Sequence, residues 1–125
     1  GLRAGRKFFK LRPPPSAAPW LHLVTPTRCN FKGANGSAWL ADVLAVNGFD
    51  ERMPWGGLDR EFGVRLRNHG VRPKHVRYNA IVLHLDHARG YKDPEKVREN
   101  RRLRQQVEKR KIRRTDFGIA QLSDT

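Results

Sequence analysis

The sequence predicts an α/β fold in which helices pack on a small sheet, because segments with strand periodicity alternate with segments with helical periodicity. The clearest strand is predicted over residues 76–84, where apolar side chains occupy both faces near its end, as in a buried strand. The clearest helix is predicted to begin at Leu58, since Leu58, Phe62 and Leu66 recur at every fourth position. With 125 residues, 38% of them hydrophobic, the chain is long enough for one domain with a modest core.

Two shorter strands and a further helix are predicted before these elements. Residues 20–24 are interpreted as a short strand that a Thr-Pro turn closes, and residues 29–35 as a second strand. Ser37 is predicted to cap a helix over residues 38–46. Asn47-Gly48 should end that helix, because glycine readily adopts the left-handed backbone that helix C-termini favour.

The two ends of the chain are basic and flank this alternating region of residues 20–91. Residues 1–19 are basic and then proline-rich, and they are interpreted as a linker or as a short interfacial helix that the prolines end. Residues 92–125 are predicted to form a basic helix and a partly disordered tail. Asp93-Pro94 supplies an N-cap and a proline at the first helical position, and the helix is expected to reach about Arg114.

The formal net charge of +14 is concentrated at these two ends, with +6 over residues 1–28 and +7 over residues 92–114. Such segments attract polyanions, whether nucleic acid, anionic lipid headgroups or phosphorylated glycans. No apolar run is long enough for a transmembrane helix, and no signal peptide is recognisable. The single cysteine, Cys29, cannot form an internal disulfide, so a reducing, cytoplasmic location is expected.

The candidate site lies where a glycine turn meets the helix that begins at Leu58. The turn is Pro54-Trp55-Gly56-Gly57, and it is followed by Asp59 and Glu61 in the first helical turn. Acids in that position commonly do no more than stabilise the positive end of the helix dipole. Two carboxylates beside an indole could also bind and activate a hydroxyl group.

This stretch resembles the acceptor-side motif of inverting family 2 glycosyltransferases and the galactosyltransferase C-terminal domain. The matching residues are Asn47-Gly48-Phe49-Asp50-Glu51, Trp55-Gly56-Gly57, Asp59, Glu61 and Arg65-Leu66, and Leu58 stands where the family has a glutamate. The resemblance implies that Asp59 is the catalytic base. It also implies that acceptor or donor is bound by Asn35, Trp55, Gly56, Gly57, Glu61 and Arg65. Trp55 would offer an apolar platform to a sugar face, although packing beside the turn explains it equally well.

His84 and His87 are the candidate metal ligands. An imidazole at the carboxyl end of a buried strand lies where open α/β sheets bind ligands, although a single histidine there is more often a hydrogen-bonded structural residue. The two side chains should point to different sides, so at most one is a ligand. The resemblance implies that His84, with His87 in reserve, completes a site for Mn²⁺ or Mg²⁺ on the donor diphosphate.

The resemblance covers residues 31–103 and implies the acceptor-side, C-terminal portion of a GT-A fold. The sequence contains no D-x-D motif, which in that family belongs to the donor-binding half. The chain is therefore expected to be part of a longer enzyme and inactive alone. Its substrates would be a nucleotide-diphosphate sugar and a glycan or lipid-linked acceptor. Its basic ends would contact the inner face of the cytoplasmic membrane. The alternative is a basic nucleic-acid-binding module, but no standard motif for specific nucleic-acid binding appears.

Overall fold

The computed structural model describes residues 14–25, 29–54, 56–76, 78, 80, 82 and 93–124, and the regular structure within these ranges is entirely helical. The α-helices are α1 (Ala18–Val24), α2 (Leu40–Ala45), α3 (Leu58–His69) and α4 (Pro94–Lys109). Short 3-10 segments lie at Pro15–Ala17, Gly33–Asn35 and Ile119–Asp124. The predicted α/β class, and with it the sheet of a GT-A fold, is therefore wrong for the described part of the chain.

The first two predicted strands are replaced by helical structure. Residues 20–24 belong to α1, which has Pro19 in its first turn, where the fixed φ of proline suits a helix. Residues 29–32 have no regular structure, and Gly33–Asn35 is a 3-10 turn in which the Asn35 N–H donates to the Lys32 carbonyl (3.0 Å). These short apolar runs carry no information about a partner strand, so periodicity alone misassigned them.

The predicted strand over residues 76–84 is also not observed at its described positions. The Ala80 N–H donates to the Val76 carbonyl (2.8 Å), a bond across four residues that folds the backbone into a local turn. Val76 and Val82 have no regular structure. The remaining positions of that prediction, His84 among them, lie outside the described residues.

The chain divides into two compact units. The first comprises residues 1–29 and 74–86, and its described part contains α1. There the His22 ring packs edge-on against Tyr78 (centroids 5.1 Å apart), and the Tyr78 hydroxyl lies 2.9 Å from Thr25 Oγ1. The second unit comprises residues 30–73 and 87–125 and contains α2, α3 and α4.

Helix α3 carries the core of the second unit. Phe62 and Leu66 are buried against Val46, and Phe62 also contacts the rings of Phe31 (5.0 Å between centroids) and Phe49 (4.5 Å). The prediction of a helix from Leu58 with its apolar stripe facing inward is confirmed. Gly70 ends it in the left-handed conformation, with φ of 111°.

The other two helices of this unit are shorter than predicted. Helix α2 begins at Leu40 with no side-chain cap, so the capping role predicted for Ser37 is wrong, whereas Asn47 (φ 64°) and Gly48 (φ 67°) end the helix as expected. The Asp93 carboxylate caps α4 as predicted, accepting from two backbone N–H groups. Helix α4 stops at Lys109 because Lys111 takes a left-handed backbone (φ 54°).

The carbonyls at the end of α4 are held by another helix. The Asn68 amide of α3 donates to the carbonyls of Val107 (3.2 Å) and Ile112 (2.8 Å). These two bonds tie α3 to α4 and close the end of α4. Across the described ranges, no helix combines the length and apolarity needed to cross a membrane.

Candidate functional site

Asp59 lies in the first turn of α3 and is fixed by two backbone donors. Its Oδ1 accepts from the Arg60 N–H (2.8 Å) and its Oδ2 from the Gly33 N–H (3.3 Å). The side chain remains partly exposed. The Gly33–Asn35 turn therefore lies beside Asp59. The structure thus brings together two segments that each contain a predicted site residue, Asn35 and Asp59. Asn35 itself is exposed at the end of this turn.

The glycine turn before Asp59 is held from the opposite side by α4. Gly56 and Gly57 both have positive φ (86° and 98°), which non-glycine residues adopt only with strain. The Asn100 amide of α4 donates to the Gly56 carbonyl (3.0 Å), and Asn100 is buried. Asn100 is not among the residues predicted from the sequence. Its signal there is a polar residue on the inward face of an otherwise apolar helical stripe. Trp55, between these glycines and Pro54, lies outside the described residues.

Glu61 and Arg65 are both fully buried (0% exposed) and pair with each other. Arg65 Nε and Nη2 donate to the two Glu61 carboxylate oxygens at 2.7 and 2.9 Å, and Nη1 donates to the Val46 carbonyl. A bidentate pair of this kind satisfies the guanidinium and carboxylate together. In this arrangement the pair joins α3 to the end of α2.

Asp50 forms a second buried charge cluster, which the sequence analysis did not predict. Its carboxylate accepts from Arg52 Nε (2.9 Å) and Nη2 (2.7 Å) and from the Thr115 hydroxyl (2.7 Å). Burial raises the pKa of the Asp50 carboxyl, but the hydrogen bonds from Arg52 and Thr115 outweigh it, and the net pKa is lowered. The hydrogen bond to Asp50 in turn raises the pKa of Arg52, whose guanidinium stacks on the Phe117 ring at 4.1 Å.

The segment after α4 folds back onto this cluster, so residues 115–120 of the tail have defined contacts. The Asn47 side chain donates to the Thr115 carbonyl (2.9 Å) and accepts from the Ala120 N–H (2.8 Å). The Glu51 N–H donates to the Phe117 carbonyl (2.9 Å). Residues 115–120 therefore complete the hydrogen bonding of residues 47–51, and we call these two segments the return lock.

A cleft of about 200 Å³ opens beside the return lock. Its lining includes Arg52, Arg110, Arg114 and Phe117, together with the buried carboxylates of Asp50 and Glu61. Asp59 does not line it, so the candidate base lies on the surface beside the Gly33–Asn35 turn and not in this cleft.

The metal prediction concerns residues outside the described ranges. His84 and His87 both fall there. Within the described residues, no three His, Cys, Asp or Glu side chains are grouped as a metal ion would require. Binding of Mn²⁺ or Mg²⁺ therefore stays a prediction.

Comparison with protein-family models, with curated proteins and with solved structures found no match to the chain. The resemblance to glycosyltransferases accordingly depends on the residues of the motif, and the geometry around Asp59 is the structural observation that bears on it.

Proposed function

We propose that this chain forms the acceptor side of an inverting glycosyltransferase in which Asp59 is the catalytic base. The observation that supports this function is the hydrogen bond from the Gly33 N–H to Asp59 Oδ2 (3.3 Å). It joins two segments 26 residues apart, each with a residue to which the resemblance assigns a role: Asn35 in binding acceptor or donor, and Asp59 as the base.

The chemical role proposed for Asp59 is a single proton transfer. Its carboxylate takes the proton of the acceptor hydroxyl while that oxygen forms a bond to the anomeric carbon of the donor sugar. The bond from that carbon to the diphosphate breaks, and the nucleoside diphosphate leaves with the electron pair. The two backbone donors fix the orientation of the carboxylate, so the acceptor oxygen can be aimed before the reaction begins.

The donor is proposed to bind mainly outside the residues described here. His84, with His87 as the alternative, is the residue proposed to hold Mn²⁺ or Mg²⁺, whose charge would stabilise the leaving diphosphate. Since the sequence contains no D-x-D motif, a separate donor-binding part is needed for turnover. The acceptor is proposed to be a glycan or a lipid-linked sugar at the cytoplasmic face of the membrane.

The test compares Asp59→Asn with Asp42→Asn in the polypeptide that joins this chain to its donor-binding part. Both residues are partly buried acids in the first turn of a helix, so the chemical change is matched. Transfer is measured as nucleoside diphosphate release with UDP-, GDP- and dTDP-sugars and MnCl₂. Asp59→Asn should lower kcat by about 10²–10⁴-fold and leave donor affinity unchanged, because it removes only the proton acceptor.

The control should retain turnover close to that of the parent protein. If Asp59→Asn also turned over at the parent rate, Asp59 would be a residue that stabilises α3, and the proposed role would be wrong. Absence of transfer with every donor from the folded parent protein would reject the function itself.

A further inference from the structure

The outward face of α4 carries a compact set of positive charges. Arg98, Arg101, Arg102 and Lys109 are exposed, whereas Asn100 and Val107 on the opposite side are buried. At 100° per residue, these four cations fall within about 100° of the helix circumference and extend over about 16 Å of its axis. We call them the α4 basic face.

Three exposed acids on α4, Glu95, Glu99 and Glu108, neutralise this face in part. The ion pair from Arg98 to Glu95 is long (3.8 Å), and both side chains are mostly exposed, so it contributes little. Four more exposed cations follow the helix at Arg110, Lys111, Arg113 and Arg114. The α4 basic face is therefore continued by the residues after the helix, and a polyanionic partner is expected on electrostatic grounds.

The same unit also exposes large apolar side chains. Trp39, at the N-cap of α2, and Leu40 and Leu44 within the helix are 82%, 70% and 51% exposed. Large exposed apolar side chains that are neighbours in this way indicate an interaction surface.

These two observations favour a lipid bilayer over a nucleic acid. Phosphate backbones would satisfy the α4 basic face, and Trp39 could stack on a base, but exposed Leu40 and Leu44 would gain nothing from a nucleic acid. An anionic bilayer provides negative headgroups for arginine and lysine and an interfacial region for tryptophan and leucine. Peripheral proteins combine these same two contributions.

We propose that this chain binds anionic lipid bilayers peripherally, through the α4 basic face and the exposed side chains of α2. The electrostatic contribution comes from headgroup contacts of the four cations, and the apolar contribution comes from insertion of Trp39, Leu40 and Leu44 into the interface. This binding does not depend on the proposed transferase chemistry, because none of these residues is assigned to it.

The test is co-sedimentation of the full chain with vesicles of phosphatidylcholine, with and without phosphatidylglycerol. The four-residue variant Arg98→Gln, Arg101→Gln, Arg102→Gln and Lys109→Gln removes the α4 basic face. A matched variant, Arg60→Gln, Arg67→Gln, Arg72→Gln and Lys74→Gln, removes three arginines and one lysine that are exposed elsewhere. Both variants have the same net charge, so a difference between them reports position and not total charge.

The parent chain should bind only the anionic vesicles, and about 0.5 M NaCl should release most of it. Loss of the α4 basic face should weaken binding by at least about tenfold and by up to about 10³-fold, whereas the matched variant should lose much less. Trp39→Gln with Leu40→Gln should weaken binding without changing its salt dependence, because those residues carry no charge. All proteins are compared at equal folded content by circular dichroism.

Three results would overturn the proposal: equal losses for the two charge variants, equal binding to neutral vesicles, or no effect of the α2 variant. Tighter binding to poly(U) or duplex DNA than to anionic vesicles at the same salt concentration would also overturn it. In that case the α4 basic face would be a nucleic-acid surface.

Discussion

The Asp50 carboxylate accepts more hydrogen bonds than the carboxylate of Asp59, the residue to which the motif gives a catalytic role. The Asp50 carboxylate is buried, yet it accepts hydrogen bonds from Arg52 and from Thr115, 65 residues later in the sequence. Because these bonds lower the pKa of Asp50 in the folded chain, its ionised form stabilises folding at pH above about 4. That contribution is lost as the pH falls through the folded pKa.

Asp50→Asn should therefore lower stability near neutral pH by about 1–3 kcal/mol, since a charged hydrogen-bond acceptor is lost from a buried site. It should also flatten the fall in stability between about pH 5 and pH 2. Urea unfolding followed by circular dichroism across this range measures both effects. Asp116→Asn, at the exposed acid directly before Phe117, is the control and should keep the parent pH profile. An unchanged profile in Asp50→Asn would show that this carboxylate does not control acid stability.

Glu61 shows what the sequence could and could not predict about single residues. Its place in the first turn of α3 follows from the periodicity, and it is confirmed. Its burial does not follow from the periodicity. An acid next to Phe62 on the helix can face either solvent or the core, and other segments of the chain determine which. The partner that makes burial tolerable, Arg65, lies four residues on, and a bond to the Val46 carbonyl completes the arrangement. Only the tertiary structure shows that contact.

Among the elements, α3 is shaped by a glycine that helix propensity alone would disfavour. A Cβ atom added at Gly63 would lie 2.6 Å from Phe31 Cβ and 3.2 Å from the Phe31 backbone nitrogen. Real Cβ atoms essentially never approach another atom as closely as the first distance, and the second is tighter than most Cβ contacts. Gly63 therefore allows the segment at Phe31 to lie directly on the helix.

Gly63→Ala should destabilise the chain by about 1–3 kcal/mol, although alanine is intrinsically the better helix former by about 1 kcal/mol. The clash forces Phe31 away from Phe62 and loosens the Gly33–Asn35 turn next to Asp59. Thermal unfolding measures the loss. Gly33→Ala is the matched control, since its added Cβ would lie at an ordinary 3.8 Å from Asp59 Cβ and should cost less. A Gly63→Ala variant more stable than the parent chain would contradict the close contact.

The elements that were predicted well have strong local signals, and those predicted wrongly do not. Asp93-Pro94 starts α4, and Gly70 ends α3, because capping and left-handed backbone chemistry act within a few residues. Residues 20–24 are apolar enough for either a strand or a helix, and the choice depends on partners elsewhere in the chain. The predicted sheet failed for that reason.

At the scale of the whole molecule, the return lock is the feature that was least predictable from the sequence. Its bonds join residues separated by 65 to 73 positions, and neither segment has a periodicity that indicates the other. The contact is polar and made largely through backbone groups, to which composition and hydropathy are insensitive.

A chain ending at Arg114 should lose more than about 3 kcal/mol of stability, because Asn47 and Asp50 would then be left without several of their hydrogen bonds. We expect an early and broad urea transition. A chain ending at Gln121 keeps Thr115, Phe117 and Ala120 and should unfold like the parent. Equal midpoints for the two truncated chains would show that residues 115–121 are dispensable for stability.

The return lock also determines when, during biosynthesis, the second unit can complete its hydrogen bonds. Asn47 and Asp50 are made well before Thr115 and Ala120, and at about 5–20 residues per second the interval lasts roughly 3–15 s. During that time the ribosome-bound chain can form α3 but cannot satisfy the polar groups of residues 47–51. The nascent second unit should therefore remain a target for chaperones and proteases until the ribosome has released the segment that closes it.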